Sequence, residues 1–311
     1  MSFLRSVPGA ILILLGVALL TASGAVVVQV HRLTSPERKT GPVIDFESMS
    51  MQVEEVDFLS VDAVHLRGWL LRGTPGLPAI VMCHDLGSNR ASLTHLAVAL
   101  RKSGFTLLVF DFRGHGESAD SQSTLGLKEK RDILGALDYL EGIEGVDTER
   151  IGIYGVGMGA YAAVLAAADR PSLRVLVLDG LYPDVSYRLS RGVYDAWHFG
   201  VDHLGFAPLA AFTLLNQARL TARPASAVLE DLMGRDTLLV ASEGDAELGS
   251  KIKVMYERIP EQTDVDGNLV ILPATLGEGL YGSDLARYHE RITAFFDNRL
   301  ARWPAAPVPV S

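Results

Sequence analysis

The stretch Phe110-Asp-Phe-Arg-Gly-His-Gly-Glu-Ser118 decides the fold of this chain. It begins at the end of residues 105–111, a short apolar run that predicts a buried β-strand. Two other segments stand in order around it. Val81-Met-Cys-His-Asp-Leu-Gly-Ser-Asn-Arg90 comes after an earlier predicted strand, and Gly155-Val-Gly-Met-Gly159 joins a later strand to a helix. The three segments therefore predict a repeated strand–loop–helix order.

Apolar strands alternate with helical patterns along the rest of the chain. Residues 53–59 and 64–72 predict an antiparallel pair. Further strands are predicted at residues 79–83, 150–154, 173–179, 237–241 and 269–272, and helices at residues 93–103, 127–140, 160–168 and 285–299. This alternation predicts an α/β fold with a mostly parallel central sheet and helices on both faces. Residues 182–234, which contain three prolines, predict a cap insertion.

Together with Gly126, Glu129 and Asp132 on the intervening helix, these segments resemble the α/β-hydrolases. Within that family they resemble the serine aminopeptidase and monoacylglycerol-lipase-like branch, from about residue 53 to residue 300. The resemblance implies an α/β-hydrolase domain at residues 53–302. An N-terminal segment (1–33) and a linker (34–52) precede it, and a Pro-rich tail (303–311) follows.

The family's catalytic serine and histidine have no counterpart here. In the family, Gly-x-Ser-x-Gly lifts a serine above the sheet, where a histidine takes its proton. Gly157 occupies the serine position. The histidine should follow the last strand, but residues 273–283 contain none, and Leu276 or Glu278 stands in its place. His289 lies too far along, inside the closing helix.

Other positions of the family pattern are retained. Asp245 falls on the catalytic acid, although a turn aspartate is an equal alternative. The resemblance implies that the backbone amides of Leu86 and Met158 line the oxyanion hole. It gives His84 a supporting role in the adjoining loop. Asp85 stands where the family often has glycine, and its carboxylate would oppose an anionic intermediate.

Three functional hypotheses follow. The preferred one is a non-catalytic relative, or pseudoenzyme, that binds a small apolar ligand or a protein partner. The alternative is a hydrolase of ester, acyl or peptide substrates with a rewired site, in which Glu278, Asp245, Asp85 or His84 activates water. A polar side chain in the space vacated at residue 157 would favour this enzyme, whereas an apolar plug such as Leu276 would favour binding.

A remote third hypothesis is a dinucleotide-binding oxidoreductase. Gly155, Gly157 and Ala160, followed by Asp179, imitate a dinucleotide fingerprint. That fingerprint normally opens its domain, whereas several strands precede it here. No cofactor is predicted. The scattered histidines and the single Cys83 indicate no metal site, and a net charge of −9 without a basic cluster argues against nucleic acid as a partner.

The N-terminus predicts contact with a membrane. Residues 7–30 carry no charge and would span about 36 Å as a helix, enough to cross a bilayer. A retained single-pass anchor is favoured over a cleaved signal peptide, for which Ala22-Ser-Gly-Ala25 offers a small-residue site. Cleavage would make the protein secreted. The flanking charges leave the side of the membrane open.

Overall fold

A computed structural model of the chain describes residues 7–39, 46, 51–197, 206–216, 223–232, 234–259, 268–274, 276 and 280–301. The chain divides into two compact units. The first contains Met1–Ser35 and Val185–Thr221, and the second contains Pro36–Asp184 and Ala222–Ser311. Residues 185–221 of the predicted cap therefore belong to the same unit as the N-terminal segment.

The described helices are α1 (Val7–Thr34), α2 (Thr94–Lys102), α3 (Lys130–Glu141), α4 (Met158–Asp169), α5 (Val185–Trp197), α6 (Ala207–Asn216), α7 (Ala225–Glu230), α8 (Ala246–Glu257) and α9 (Gly282–Phe296). The first unit consists of α1, α5 and α6, which pack against one another. Among residues 11–34 of α1, Val26, Val30 and Thr34 are buried, and their spacing of four places them on one face of the helix.

The second unit contains an eight-stranded sheet. Its strands are β1 (Glu54–Leu59), β2 (His65–Leu71), β3 (Ala79–Cys83), β4 (Thr106–Phe110), β5 (Ile151–Val156), β6 (Val175–Asp179), β7 (Asp236–Ser242) and β8 (Leu269–Leu272). They lie in the order β1-β2-β4-β3-β5-β6-β7-β8. β2 runs antiparallel to β1 and β4, and the other neighbours are parallel. The predicted sheet and its antiparallel pair are confirmed.

Helices cover both faces of the sheet. On one face, α2 and α9 pack over alternate residues of the central strands, such as Ile80 and Met82, in one buried cluster. On the other face, α3 and α4 pack against each other and against β3. Helix α8 was not predicted, because among its residues only Ile252 and Met255 are buried and so its apolar periodicity is short.

Candidate active site

The carboxyl ends of three parallel strands meet at one edge of the sheet. Cys83, the last residue of β3, pairs with Gly155 of β5, and Val156 of β5 pairs with Asp179, the last residue of β6. Asp85 therefore follows β3 closely, and Gly157 comes directly after β5. In open α/β sheets this edge is where ligands bind.

A strained turn joins β5 to α4 at Gly157. The residue has φ 51° and ψ −109°, a region that favours glycine. Its neighbours must also lack side chains: a Cβ on Gly155 would lie 2.6 Å from the carbonyl carbon of Gly159, and one on Gly159 would lie 2.5 Å from the oxygen of Cys83. The three glycines thus let α4 start close against the sheet, which is the geometry of a nucleophile elbow without its nucleophile.

The carboxylate of Asp85 fills the space above Gly157. A Cβ placed on Gly157 would lie 2.1 Å from Asp85 Oδ1 and 2.4 Å from its Cγ, which is no room for a side chain. The backbone N–H of Met158 donates to Asp85 Oδ1 over 2.7 Å. This is the amide that the family resemblance assigns to the oxyanion hole. Among the residues that the structure describes, the polar side chain of Asp85 therefore occupies the vacated position, and the apolar Leu276 does not.

His84 and His115 support the loop that carries Asp85. His84 is fully buried; its Nε2 accepts from the N–H of Phe112 over 3.1 Å, and its Nδ1 lies 2.7 Å from the oxygen of Asp85. Burial, reinforced by His115, lowers the pKa of His84 to about 4. His115 in turn accepts from the N–H of Gly87 over 3.1 Å. Both nitrogens of His84 are engaged, so it is a positioning residue rather than a base.

A cleft of about 240 Å³ opens beside Asp85. Leu86, Val156 and Leu276 supply apolar lining, and Lys39 also lines the cleft. The backbone oxygen of Lys39 accepts from Asn89 Nδ2 over 2.7 Å, which ties this part of the predicted linker to the loop. Glu278 lies outside the described residues.

A buried hydrogen-bonded chain lies behind the cleft. Tyr288 of α9 donates to Asp179 Oδ2 over 2.6 Å, and its hydroxyl lies 2.5 Å from that of Tyr154. The N–H of Leu276 donates to the same carboxylate oxygen over 3.2 Å. Burial raises the pKa of both tyrosines. Asp179 thus anchors the turn in which the sequence places the family's histidine.

Asp245 and Ser242 accept local backbone hydrogen bonds after β7. Asp245 is the N-cap of α8 and accepts from the N–H of Leu248 over 3.1 Å, whereas Ser242 accepts from the N–H of Gly244. The catalytic role assigned to Asp245 stays a prediction. Cys83 is fully buried, and burial raises its thiol pKa well above the usual value, so it is a packing residue.

Sequence reasoning missed the importance of Asp179 and Tyr288. An aspartate at the end of a buried parallel strand was the available indication, because such ends meet at the ligand-binding edge. Tyr288 offered none, since a tyrosine within an amphipathic helix usually packs in the core. The orientation of Asp85 depends on loop geometry and was equally hidden.

Residues 80–310 match the model of the alpha/beta hydrolase family. An uncharacterized protein of Mycobacterium tuberculosis is 35% identical over 133 residues, which cover 42% of this chain and 47% of that protein. The thiohydrolase aneE of Aspergillus aculeatus is 33% identical over 126 residues, covering 40% of each. The chain thus spans less than half the length of these two relatives.

Solved structures share the fold. The Pyrococcus furiosus esterase Pf2001 superposes with a TM-score of 0.68 at 20% identity, covering 87% of this chain and 99% of that one. Est1E of Butyrivibrio proteoclasticus, solved with ferulic acid, has a TM-score of 0.58 at 17% identity, covering 79% of this chain and 99% of that one. The α/β-hydrolase fold predicted from the sequence is confirmed.

The preferred interpretation from the sequence, a non-catalytic pseudoenzyme, was wrong. Residues 80–310 match the alpha/beta hydrolase family and a thiohydrolase is among the relatives, which favours a hydrolase over a non-catalytic protein. That interpretation rested on the missing serine at residue 157 and the missing histidine in residues 273–283. In the structure the carboxylate of Asp85, from the loop after β3, lies over residue 157.

Proposed function

Because the chain belongs to the α/β-hydrolase family, we propose that it hydrolyses acyl esters or thioesters with Asp85 in place of the missing serine. The observation that carries this proposal is the carboxylate of Asp85 above Gly157, hydrogen-bonded to Met158. Within the family, we place it near the serine aminopeptidase and monoacylglycerol-lipase-like branch because of the motif at residues 110–118.

Asp85 is suited to act as a general base. The Met158 amide fixes Oδ1, while Oδ2 has no hydrogen-bond partner among the described residues and can accept a proton from water in the cleft. The water oxygen bonds to the acyl carbon, and the electron pair of the C=O π bond moves onto the carbonyl oxygen. When the intermediate collapses, the bond to the leaving group breaks, and that group takes the proton from Asp85.

The developing negative charge needs a donor other than Met158. The N–H of Met158 already donates its hydrogen bond to the carboxylate of Asp85, and this negative charge repels an oxyanion placed beside it. The amide of Leu86, on the lining of the same cleft, is the remaining donor of the family pattern. A site with one donor fewer should turn over more slowly than a serine esterase, since losing one such donor costs about 10²–10³-fold in kcat.

The test compares Asp85→Asn with Asp245→Asn in the hydrolysis of p-nitrophenyl butyrate by the full chain in detergent. The amide oxygen of the introduced asparagine would still accept from Met158, so the loop should keep its fold, but this side chain cannot take a proton. We expect kcat to fall about 100-fold or more in Asp85→Asn, the contribution of a general base, and to stay near the starting value in Asp245→Asn. Unchanged turnover in Asp85→Asn would refute the proposal.

A labelling experiment distinguishes a general base from a nucleophile. In a single turnover in H₂¹⁸O, a general base sends the label into the released acid and leaves Asp85 unlabelled. A carboxylate nucleophile would form an anhydride with the acyl group and release the alcohol or thiol, and attack of water on the aspartyl carbonyl carbon would then leave ¹⁸O on Asp85. Stoichiometric capture of any serine by a fluorophosphonate would contradict both routes.

We also infer that α1 anchors the protein in a membrane. Among the described residues, one helix is long and apolar enough to span a bilayer: residues Ile11–Thr34, whose most apolar 18-residue window has a mean hydropathy of 2.7 and only 6% of its residues buried. Intact mass of the mature protein and its extraction at alkaline pH test this inference. Loss of the chain up to the small-residue site at Ala22-Ser-Gly-Ala25, with release into the aqueous phase, would favour a signal peptide.

A further inference from the structure

An apolar stripe runs along the outer side of α6. Phe206, directly before α6, and Ala210 and Leu214 within it are spaced four apart and exposed, with Phe206 at 81% and Leu214 at 75%; Thr213 is the exposed polar residue beside them. We call Phe206, Ala210 and Leu214 the outer stripe. The opposite side of α6 is buried through Pro208, Ala211, Phe212 and Asn216. A helix in water normally turns charged residues outward, but Ala207–Asn216 contains none.

The helices that pack against α6 determine its depth relative to a membrane. α6 and α5 pack against α1, whose buried residues Val26, Val30 and Thr34 lie in its last turns. A Cβ on Gly192 of α5 would lie 2.8 Å from Leu33 Cδ2, so α5 approaches this end of α1 closely. The earlier part of α1 has exposed apolar side chains, for example Leu20 at 75%.

Helix length then places this contact at the bilayer surface. The apolar stretch Ile11–Thr34 is about 36 Å long, which is more than the hydrocarbon core of about 30 Å requires. Residues 7–25 of α1, which precede the packed face, already span about 28 Å at 1.5 Å per residue, so the core can be crossed before residue 26 is reached. Everything that packs against residues 26–34 consequently lies where α1 leaves the lipid. Exposed Tyr194 on α5 and Arg32 on α1 are residue types found at this interface.

We propose that the outer stripe of α6 lies within the lipid bilayer, just below its headgroups, so that the first unit is held by two contacts, a spanning helix and an interfacial helix. This rests on the proposal that α1 spans the membrane. Lipid is the occupant because the stripe is uncharged and because it belongs to the same unit as α1. Interfacial helices bury an apolar face by about 5–10 Å in this way.

The test uses the full chain in vesicles of phosphatidylcholine and phosphatidylglycerol that contain nitroxide-labelled lipids. A bimane fluorophore is attached to Leu214→Cys, Leu15→Cys or Glu257→Cys in separate proteins. The native Cys83 is fully buried and should not react. We expect a nitroxide at acyl carbon 5 to remove about half of the Leu214→Cys fluorescence, consistent with shallow insertion. A nitroxide at carbon 12 should act most on Leu15→Cys, and Glu257→Cys, which is exposed on α8 of the second unit, records the quenching of a label outside the first unit.

The three positions separate failure of this inference from failure of the anchor. Quenching at Leu15→Cys without quenching at Leu214→Cys would overturn the inference and leave the anchor standing. Absence of quenching at both would overturn both. Contact between Leu214→Cys labels of two copies, seen as concentration-dependent self-quenching in place of lipid quenching, would assign the stripe to a dimer and overturn the lipid assignment.

Discussion

Adding one methyl group at Gly157 should destabilise the protein by an amount that depends on Asp85. The new Cβ would lie 2.1 Å from Asp85 Oδ1, so the carboxylate must move by more than 1 Å to reach ordinary contact near 3.4 Å. That movement breaks the hydrogen bond to Met158, which is worth about 1.5–3 kcal/mol for a charged acceptor. The positive φ adds about 1–3 kcal/mol for a residue with a side chain.

The expected loss in free energy of unfolding for Gly157→Ala is therefore about 2.5–6 kcal/mol. Gly180→Ala is the matched control, because Gly180 has φ 64° and no atom within 4 Å of a built Cβ. It should show only the backbone cost of about 1–3 kcal/mol. Guanidinium unfolding of the full chain in detergent, followed by tryptophan fluorescence, measures each value.

A double-mutant cycle isolates the clash. In an Asp85→Ala background the carboxylate is gone, so Gly157→Ala should cost only the backbone term, and the coupling energy should be about 1.5–3 kcal/mol. If Gly157→Ala costs no more than Gly180→Ala, or if Asp85→Ala leaves its cost unchanged, then Asp85 does not occupy the space above Gly157 and is not placed to act in catalysis.

Three further outcomes are expected. Tyr288→Phe removes the donor to a buried carboxylate and should cost about 1–3 kcal/mol of unfolding free energy, whereas Tyr281→Phe, 82% exposed, should change it by less than about 0.5 kcal/mol; equal values would contradict the buried network. Asp245→Ala should lose about 0.5–2 kcal/mol as a helix N-cap, and Asp245→Asn should lose little because asparagine also caps; an equal loss in both would argue for a role of the charge. Since the folded-state pKa of His84 is lowered from 6.5 to about 4, the unfolded chain binds more protons between these values. Stability should therefore fall by about 3 kcal/mol as pH drops from 6.5 to 4, and this decrease should shrink in His84→Asn; identical pH profiles would refute this account.

Much of the fold could be predicted because its determinants are local in the chain. The strands at residues 79–83 and 269–272 were predicted with the bounds that the structure has, since each is a continuous apolar run. Other elements shifted by a few residues at their ends, where helix capping and strand pairing decide the boundary. The amphipathic pattern of α8 was too short to be recognised.

The candidate site was only partly predictable. The absence of a serine at residue 157 is a property of the sequence alone. What replaces it is not, because the contact between Asp85 and Met158 joins residues 73 positions apart. The direction of the Asp85 side chain follows from how β3 and β5 lie side by side and from the imidazole of His84 beneath its loop.

The sequence by itself determined the order of strands and helices, the glycine turn without its nucleophile, and the apolar N-terminal helix. These features depend on hydrophobic periodicity and on backbone freedom, which are properties of residues close together in the chain. Only the tertiary structure decided that a carboxylate stands above the turn, that Tyr288 binds Asp179, and that α6 turns an apolar stripe outward. Each of these depends on which distant segments meet when the chain packs, and a linear pattern does not encode the direction in which a side chain then points.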